Sequence, residues 1–235
     1  MSGVIPGEAP APYALKTGIL SSHGRILQFL ERGPRDRRIL DVGAATGYLG
    51  SELQRLGFRH VNGVEVNADW AARAKPFYET IAVCDLENAA FPWEEGWFDV
   101  VICADVLEHL RDPASSLKKL SRLVSPTGCL LISLPNVAHW SMRLNLLIGR
   151  FEYTASGFLD HSHVRFFTRA TARRLLGEAG FLIDREEVIP LPIAHWCKDS
   201  AWVALWRAIE RADWLLARLR PPLFAYQFLF FARPR

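Results

Sequence analysis

Ile39-Leu40-Asp41-Val42-Gly43-Ala44-Ala45-Thr46-Gly47 is the stretch whose reading decides the fold. A short apolar run, Arg38 to Val42, reads as a strand that carries an aspartate near its end. The glycine-bearing turn after it opens a helix from about Tyr48 to Leu56. A strand that turns sharply into a helix is the unit from which parallel sheets are built.

The same alternation extends in both directions. Upstream, Gly24 to Arg32 reads as the end of an opening helix. Downstream, strands are expected at His60 to Glu65, Ile81 to Cys84 and Phe98 to Cys103. Asn67 is placed to cap a helix that Pro76 stops, and Asp112-Pro113 is a helix start with Asp as cap and Pro in the first turn. Pro126-Thr127-Gly128 turns the chain into a fifth strand, Cys129 to Leu134. A helix over Thr168 to Gly180 and strands over Phe181 to Ile189 and Phe224 to Ala232 complete the order. The fold class is therefore α/β, a doubly wound and mostly parallel sheet with helices on both faces.

The 235 residues, half of them apolar, suffice for one substantial core, so residues 1–235 are read as a single domain. Residues 1–16 form a Pro-rich lead-in without the charged-then-apolar order of a signal peptide. The net charge of +3 is mild and no stretch concentrates Lys and Arg as a basic arm, which argues against a nucleic-acid partner. Cys84, Cys103, Cys129 and Cys197 show no metal-ligand spacing. They read as buried free thiols of a reducing, cytoplasmic compartment, and no metal is expected. No apolar run reaches the length of a membrane span.

Chemistry enters with three carboxylates, each at the end of a strand. Gly43 and Gly47 let backbone pass close to a ligand, and the helix N-terminus behind them favours a carboxylate or phosphate. Glu65 closes the second strand, where an acid can accept from both hydroxyls of a ribose. Asp85 follows the third strand, with Leu86 beside it to lie against a ring. A dinucleotide dehydrogenase needs GxGxxG at the turn. Here Ala45 stands at the second glycine and Tyr48 at the third, where its side chain obstructs a pyrophosphate.

LDVGAATG, GVEVN, the run AVCDLENAAFPWEEGWFDVVICADVLEHLRDP and LKKLSRLVSPTGCLLISLPN together resemble the class I S-adenosylmethionine-dependent methyltransferases over residues 39 to 134. That family has Gly where this chain has Ala45. The resemblance implies a Rossmann-like seven-stranded sheet in the order 3-2-1-4-5-7-6, with the last strand antiparallel. It implies S-adenosyl-L-methionine as cofactor. Asp41, Gly43, Ala44, Ala45 and Gly47 would surround the methionine portion, Glu65 and Val66 the ribose, and Asp85 with Leu86 the adenine. Ala104 and Asp105 would border the sulfonium. Within the family, LPNVAHWSMRLNLLIGRFEY and DHSHVRFFT resemble proteins of polysaccharide loci and the W-type proteins of methionine biosynthesis, and ubiquinone-type O-methyltransferases more distantly.

Two insertions, 136–167 and 191–222, depart from the bare alternation. In the first, Asp160-His161-Ser162-His163 with Arg165 is the main polar constellation outside the cofactor site. His161 or His163 could take the proton from an acceptor hydroxyl, and His109, beside Glu108, stands near the methyl-donor mouth. The plainer reading is a loop tied by an Asp160–Arg165 pair and a turn anchored by Glu108 and His109. The second insertion carries Trp196, Trp202, Trp206 and Trp214 with Arg207, Arg211, Arg218 and Arg220. It reads as a lid or an oligomer interface, or as an amphipathic helix in peripheral contact with a membrane, with Asp213 interrupting its apolar face. Both insertions are expected to cover the acceptor pocket. The acceptor is read as a small molecule or a glycan, methylated at oxygen. The alternative is a methyltransferase-like binding protein that assists a partner enzyme.

Overall fold

The structure is a computed structural model and describes residues 18–88, 90–193, 197 and 200–235. The lead-in 1–16 and Trp196 lie outside these residues.

Seven strands, β1 (Ile39–Val42), β2 (Val61–Glu65), β3 (Thr80–Val83), β4 (Phe98–Ala104), β5 (Val124–Pro135), β6 (Phe181–Ile189) and β7 (Gln227–Pro234), form one sheet in the order β3-β2-β1-β4-β5-β7-β6. The first five run parallel, and β7 pairs antiparallel with β5 and with β6. Order and antiparallel last strand are as the family resemblance implied.

Side chains alternate along each strand and supply two cores, one on each face. Leu40, Val42, Val101, Cys103, Leu130, Ile132 and Phe228 meet the helices α4 (Pro113–Leu123) and α6 (Arg169–Glu178) through Leu117, Leu120 and Leu176. Ile39, Val100, Ile102, Leu131 and Leu229 meet α1 (Ser22–Glu31) and α2 (Tyr48–Arg55) through Ile26, Leu30, Leu49 and Leu53. Strands buried on both faces explain why β1 and β4 read as largely apolar runs.

The caps expected from sequence form. The Asn67 side chain accepts from the amides of Asp69 and Trp70 at the start of α3 (Ala68–Ala74), and the Asp112 side chain accepts from Ser115 N at 3.1 Å. Thr168 and Thr171 make a reciprocal capping pair at α6. Several boundaries differ. β5 begins at Val124 rather than Cys129, because Phe98 pairs with Val124 and Val100 with Cys129, so the Pro126 segment bulges within the strand. β3 begins at Thr80. β7 begins at Gln227 and not Phe224, because Pro221–Phe224 folds as a helical turn, α8.

Each insertion contains a helix, α5 (Trp140–Leu147) in the first and α7 (Val203–Leu219) in the second. α7 packs along β6, the edge strand, and against α8. All four cysteines are free, but only Cys103 is fully buried.

Candidate functional site

At the carboxyl ends of β1, β2 and β4 the strands release the chain around a cavity of about 540 Å³, within the range of small-molecule sites. Its walls include Asp41, Gly43, Ala44, Ala45, Glu65, Val66, Asp85, Leu86, Ala104, Asp105 and His109. Gly47 is not among them. It has φ +88°, and a Cβ there would come within 2.7 Å of Phe77 and 2.9 Å of the Ala74 backbone, so glycine at 47 lets α2 start against α3. Ala45 takes φ +47°, the left-handed conformation in which the family's glycine is free and an alanine is strained.

The carboxylates are held by backbone amides and by neighbouring side chains. Glu65 is buried, and its two oxygens accept from Ala45 N at 2.8 Å and Asn67 N at 2.9 Å. Each oxygen keeps a further lone pair toward the cavity. Asp85 accepts from Glu87 N at 2.9 Å and from the Asn88 side chain at 2.6 Å. Asp41 accepts from the Tyr78 hydroxyl at 2.6 Å, and that hydroxyl accepts from Gly50 N at 3.2 Å. Burial pushes the Asp41 carboxyl up to about 7, against the lowering effect of the Tyr78 bond. Burial and the neighbouring Asp41 likewise push the Tyr78 hydroxyl well above its usual range.

Asp105 sits at φ +57° just past β4. Its Oδ1 accepts from Gln227 Nε2 at 2.8 Å and from the Ser133 hydroxyl. Sequence reasoning missed Ser133 and Gln227, which come from β5 and from the first residue of β7. Only the antiparallel return of β7 brings residue 227 to residue 105. It also missed Tyr78, and His23 and Trp70, which line the cavity from α1 and α3. No local pattern marks any of these.

The three candidate histidines separate. His163 is buried, its ring 4.9 Å from that of His109, and its Nδ1 lies 3.0 Å from the Phe158 carbonyl. Burial holds its imidazole below the usual value. His161 is exposed and stacks on Tyr153. The loop is tied differently from the expected Asp160–Arg165 pair. Asp160 accepts from the Ser162 amide and hydroxyl at 2.9 and 2.5 Å, bonds that hold its carboxyl low in spite of burial. Arg165 donates instead to the Arg111 carbonyl. The Glu108 carbonyl accepts from the amides of Val164 and Arg165, which binds the loop to the turn after β4. Although no metal was expected from the sequence, Glu108, His109 and His163 each offer a ligand atom within 4.8 Å of the others, a spacing that could hold a metal ion.

Among the described residues, neither insertion contributes to the cavity lining. The first nonetheless reaches its rim through His163 and through the Ser162 carbonyl, 3.2 Å from His109 Nδ1.

Comparison with known proteins adds to this geometry. The family described as "Methyltransferase domain" matches residues 20–186. A ubiquinone biosynthesis O-methyltransferase of Psychrobacter arcticus is 26% identical over 77% of this chain and 74% of its own length. One of Aeromonas salmonicida is 32% identical over 64% of each chain. Among solved structures, magnesium protoporphyrin IX methyltransferase from Synechocystis with bound SAH covers 92% of this chain and 83% of its own at 18% identity, TM-score 0.61. A SAM-dependent methyltransferase from Archaeoglobus fulgidus covers 89% and 91% at 18% identity, TM-score 0.60.

Proposed function

From the premise that the chain belongs to the methyltransferase-domain family and is an S-adenosylmethionine-dependent methyltransferase, we propose that it methylates a hydroxyl oxygen of a small molecule. The observation that carries the proposal is the His109–His163 pair at the rim of the carboxylate-lined cavity. A hydroxyl must lose its proton as its oxygen becomes an ether, and an imidazole kept neutral by burial is able to take it. The names of the relatives, O-methyltransferases, agree with oxygen as the nucleophile.

The donor set suits a cationic nucleoside ligand. Glu65 offers lone pairs to ribose hydroxyls, Asp85 and Leu86 offer an acceptor and an apolar wall to adenine, and Asp41 and Asp105 offer negative charge. When bound, S-adenosylmethionine supplies a methyl group activated on sulfur. The chain's own part is to hold that end beside Asp105 and the acceptor oxygen beside His109 and His163, since alignment carries much of the acceleration. Ser133 and Gln227 fix the Asp105 carboxylate. Where the loop's own residues offered two candidate bases, burial and position favour His163 over His161. A glycan hydroxyl is the second acceptor class, supported by the likeness of 134–153 and 160–168 to proteins of polysaccharide loci. The binding-protein reading fits less well, because the cavity walls extend to Asp105 and His109, where an acceptor must enter.

Labelled S-adenosylmethionine with a panel of phenols, catechols, glycosides, amines and thiols tests the proposal. Transfer to hydroxyl acceptors is expected, with His163→Gln lowering turnover about 10²-fold and leaving S-adenosylhomocysteine affinity unchanged. Transfer to amines or thiols alone would overturn it.

A further inference from the structure

Helix α7 exposes an apolar face that none of the described residues covers. Its inner side is Val203, Trp206, Glu210, Asp213, Trp214 and Ala217, each at least half-buried. At about 100° per residue the opposite arc holds Ala204, Leu205, Ala208, Ile209, Ala212, Leu215, Leu216 and Leu219, all exposed, with Leu219 at 75%. This arc, about 160° wide, contains no polar side chain. Along one border stand Arg207, Arg211 and Arg218, also exposed. Asp213 does not interrupt the apolar face as the sequence suggested. It turns inward, and its Oδ2 accepts from Leu191 N at 2.9 Å. The helix's other acid, Glu210, lies on the same inner side. The charge that α7 presents outward is entirely positive.

We propose that α7 is an interfacial helix that docks the protein on a bilayer with anionic headgroups. The apolar arc would lie below the headgroups, and the arginine strip beside it would pair with their phosphates. Trp202, exposed at the N-terminal end, would sit at the same level. α7 is 17 residues long and lies along the sheet edge, and no helix among the described residues is long and apolar enough to cross a membrane. The contact is therefore one of lying on the surface. A second copy of the chain fits the charge less well, because face-to-face packing would bring two arginine strips to one seam with no exposed acid on the helix to answer them. The outer side of α5 has the same character. Leu144, Leu147 and Ile148 are exposed there between Arg143 and Arg150, again without an acid. Asn136, just before α5, donates to the Ala225 carbonyl, just after α7 and α8, at 2.8 Å, where β5 ends beside the start of β7. The proposal concerns where the protein works and does not depend on the identity of the acceptor.

Flotation of the full chain with vesicles tests it. Vesicles of phosphatidylcholine with phosphatidylglycerol should bind the protein at least tenfold more tightly than phosphatidylcholine alone, with affinity falling as salt rises. Replacing Arg207, Arg211 and Arg218 together by Gln should remove most of that preference. Leu205→Asp with Leu216→Asp should abolish binding to both vesicles. S-adenosylhomocysteine affinity and the far-ultraviolet spectrum should be unchanged in both variants, which separates a lost surface from a lost fold. A wild-type protein that binds neither vesicle overturns the proposal. If, in addition, sedimentation shows a dimer that the leucine variant makes monomeric, a second copy covers the face.

Discussion

At the scale of single residues, Asp41 carries a charge state that the fold sets. Its neutral form is favoured in the native protein, where burial lifts it to about 7, over the unfolded chain, where it titrates near 3.8. A raised native value stabilises the fold fully below the unfolded value, and that contribution is lost as pH rises through the native one. Between about pH 4 and pH 7, Asp41 therefore costs progressively more stability. Asp41→Asn keeps an acceptor for Tyr78 and cannot ionise. Urea unfolding at about pH 5 and about pH 7 should show the wild type losing more stability across the interval than the variant does. Equal losses would mean that Asp41 ionises freely in the native state. A cationic ligand in the cavity favours the ionised form, so the same carboxyl couples cofactor binding to proton release.

At the scale of elements, the parts legible in the sequence are those whose signals are local. The turn from Gly43 to Gly47, the acids closing β2 and following β3, and the caps Asn67 and Asp112 each rest on a few adjacent residues; both caps form, and Gly43 to Ala45, Glu65 and Asp85 line one cavity, while Gly47 stands behind it. What was illegible is tertiary. Gln227 reaches Asp105 across 122 positions, and Tyr78 reaches Asp41 across 37. Periodicity cannot choose among partners so distant. The expected cover over the acceptor pocket divides on the same ground. The first insertion returns to the rim through Ser162 and His163, whereas α7 lies along the edge strand. Hydrogen exchange should therefore slow in residues 158–165 when S-adenosylhomocysteine and an acceptor are present, because this segment carries His163 to the rim, where a bound acceptor would order it. Amides of α7 should not respond. Slowing in α7 alone would restore it as the cover and remove the loop from that role.

At the scale of the whole molecule, the sheet binds the two cores into one unit. β1, β4 and β5 contribute alternate residues to each face, so neither core can open without exposing the other. The cavity is built at the carboxyl ends of β1, β2 and β4, strands of this same sheet, so a ligand that fills it stabilises the whole fold and not only a loop. A ligand that binds only the native state at about 100 times its dissociation constant adds about 2.7 kcal/mol. For a chain of 235 residues that corresponds to a rise in melting temperature of roughly 5–10 °C. Calorimetry should show one transition, displaced upward by S-adenosylhomocysteine to about this extent and unmoved by NAD, whose pyrophosphate has no room at Tyr48. A shift with NAD would overturn the assignment of the turn at Gly43. Two transitions, with only one displaced, would show that the faces unfold separately and that the cavity belongs to one of them.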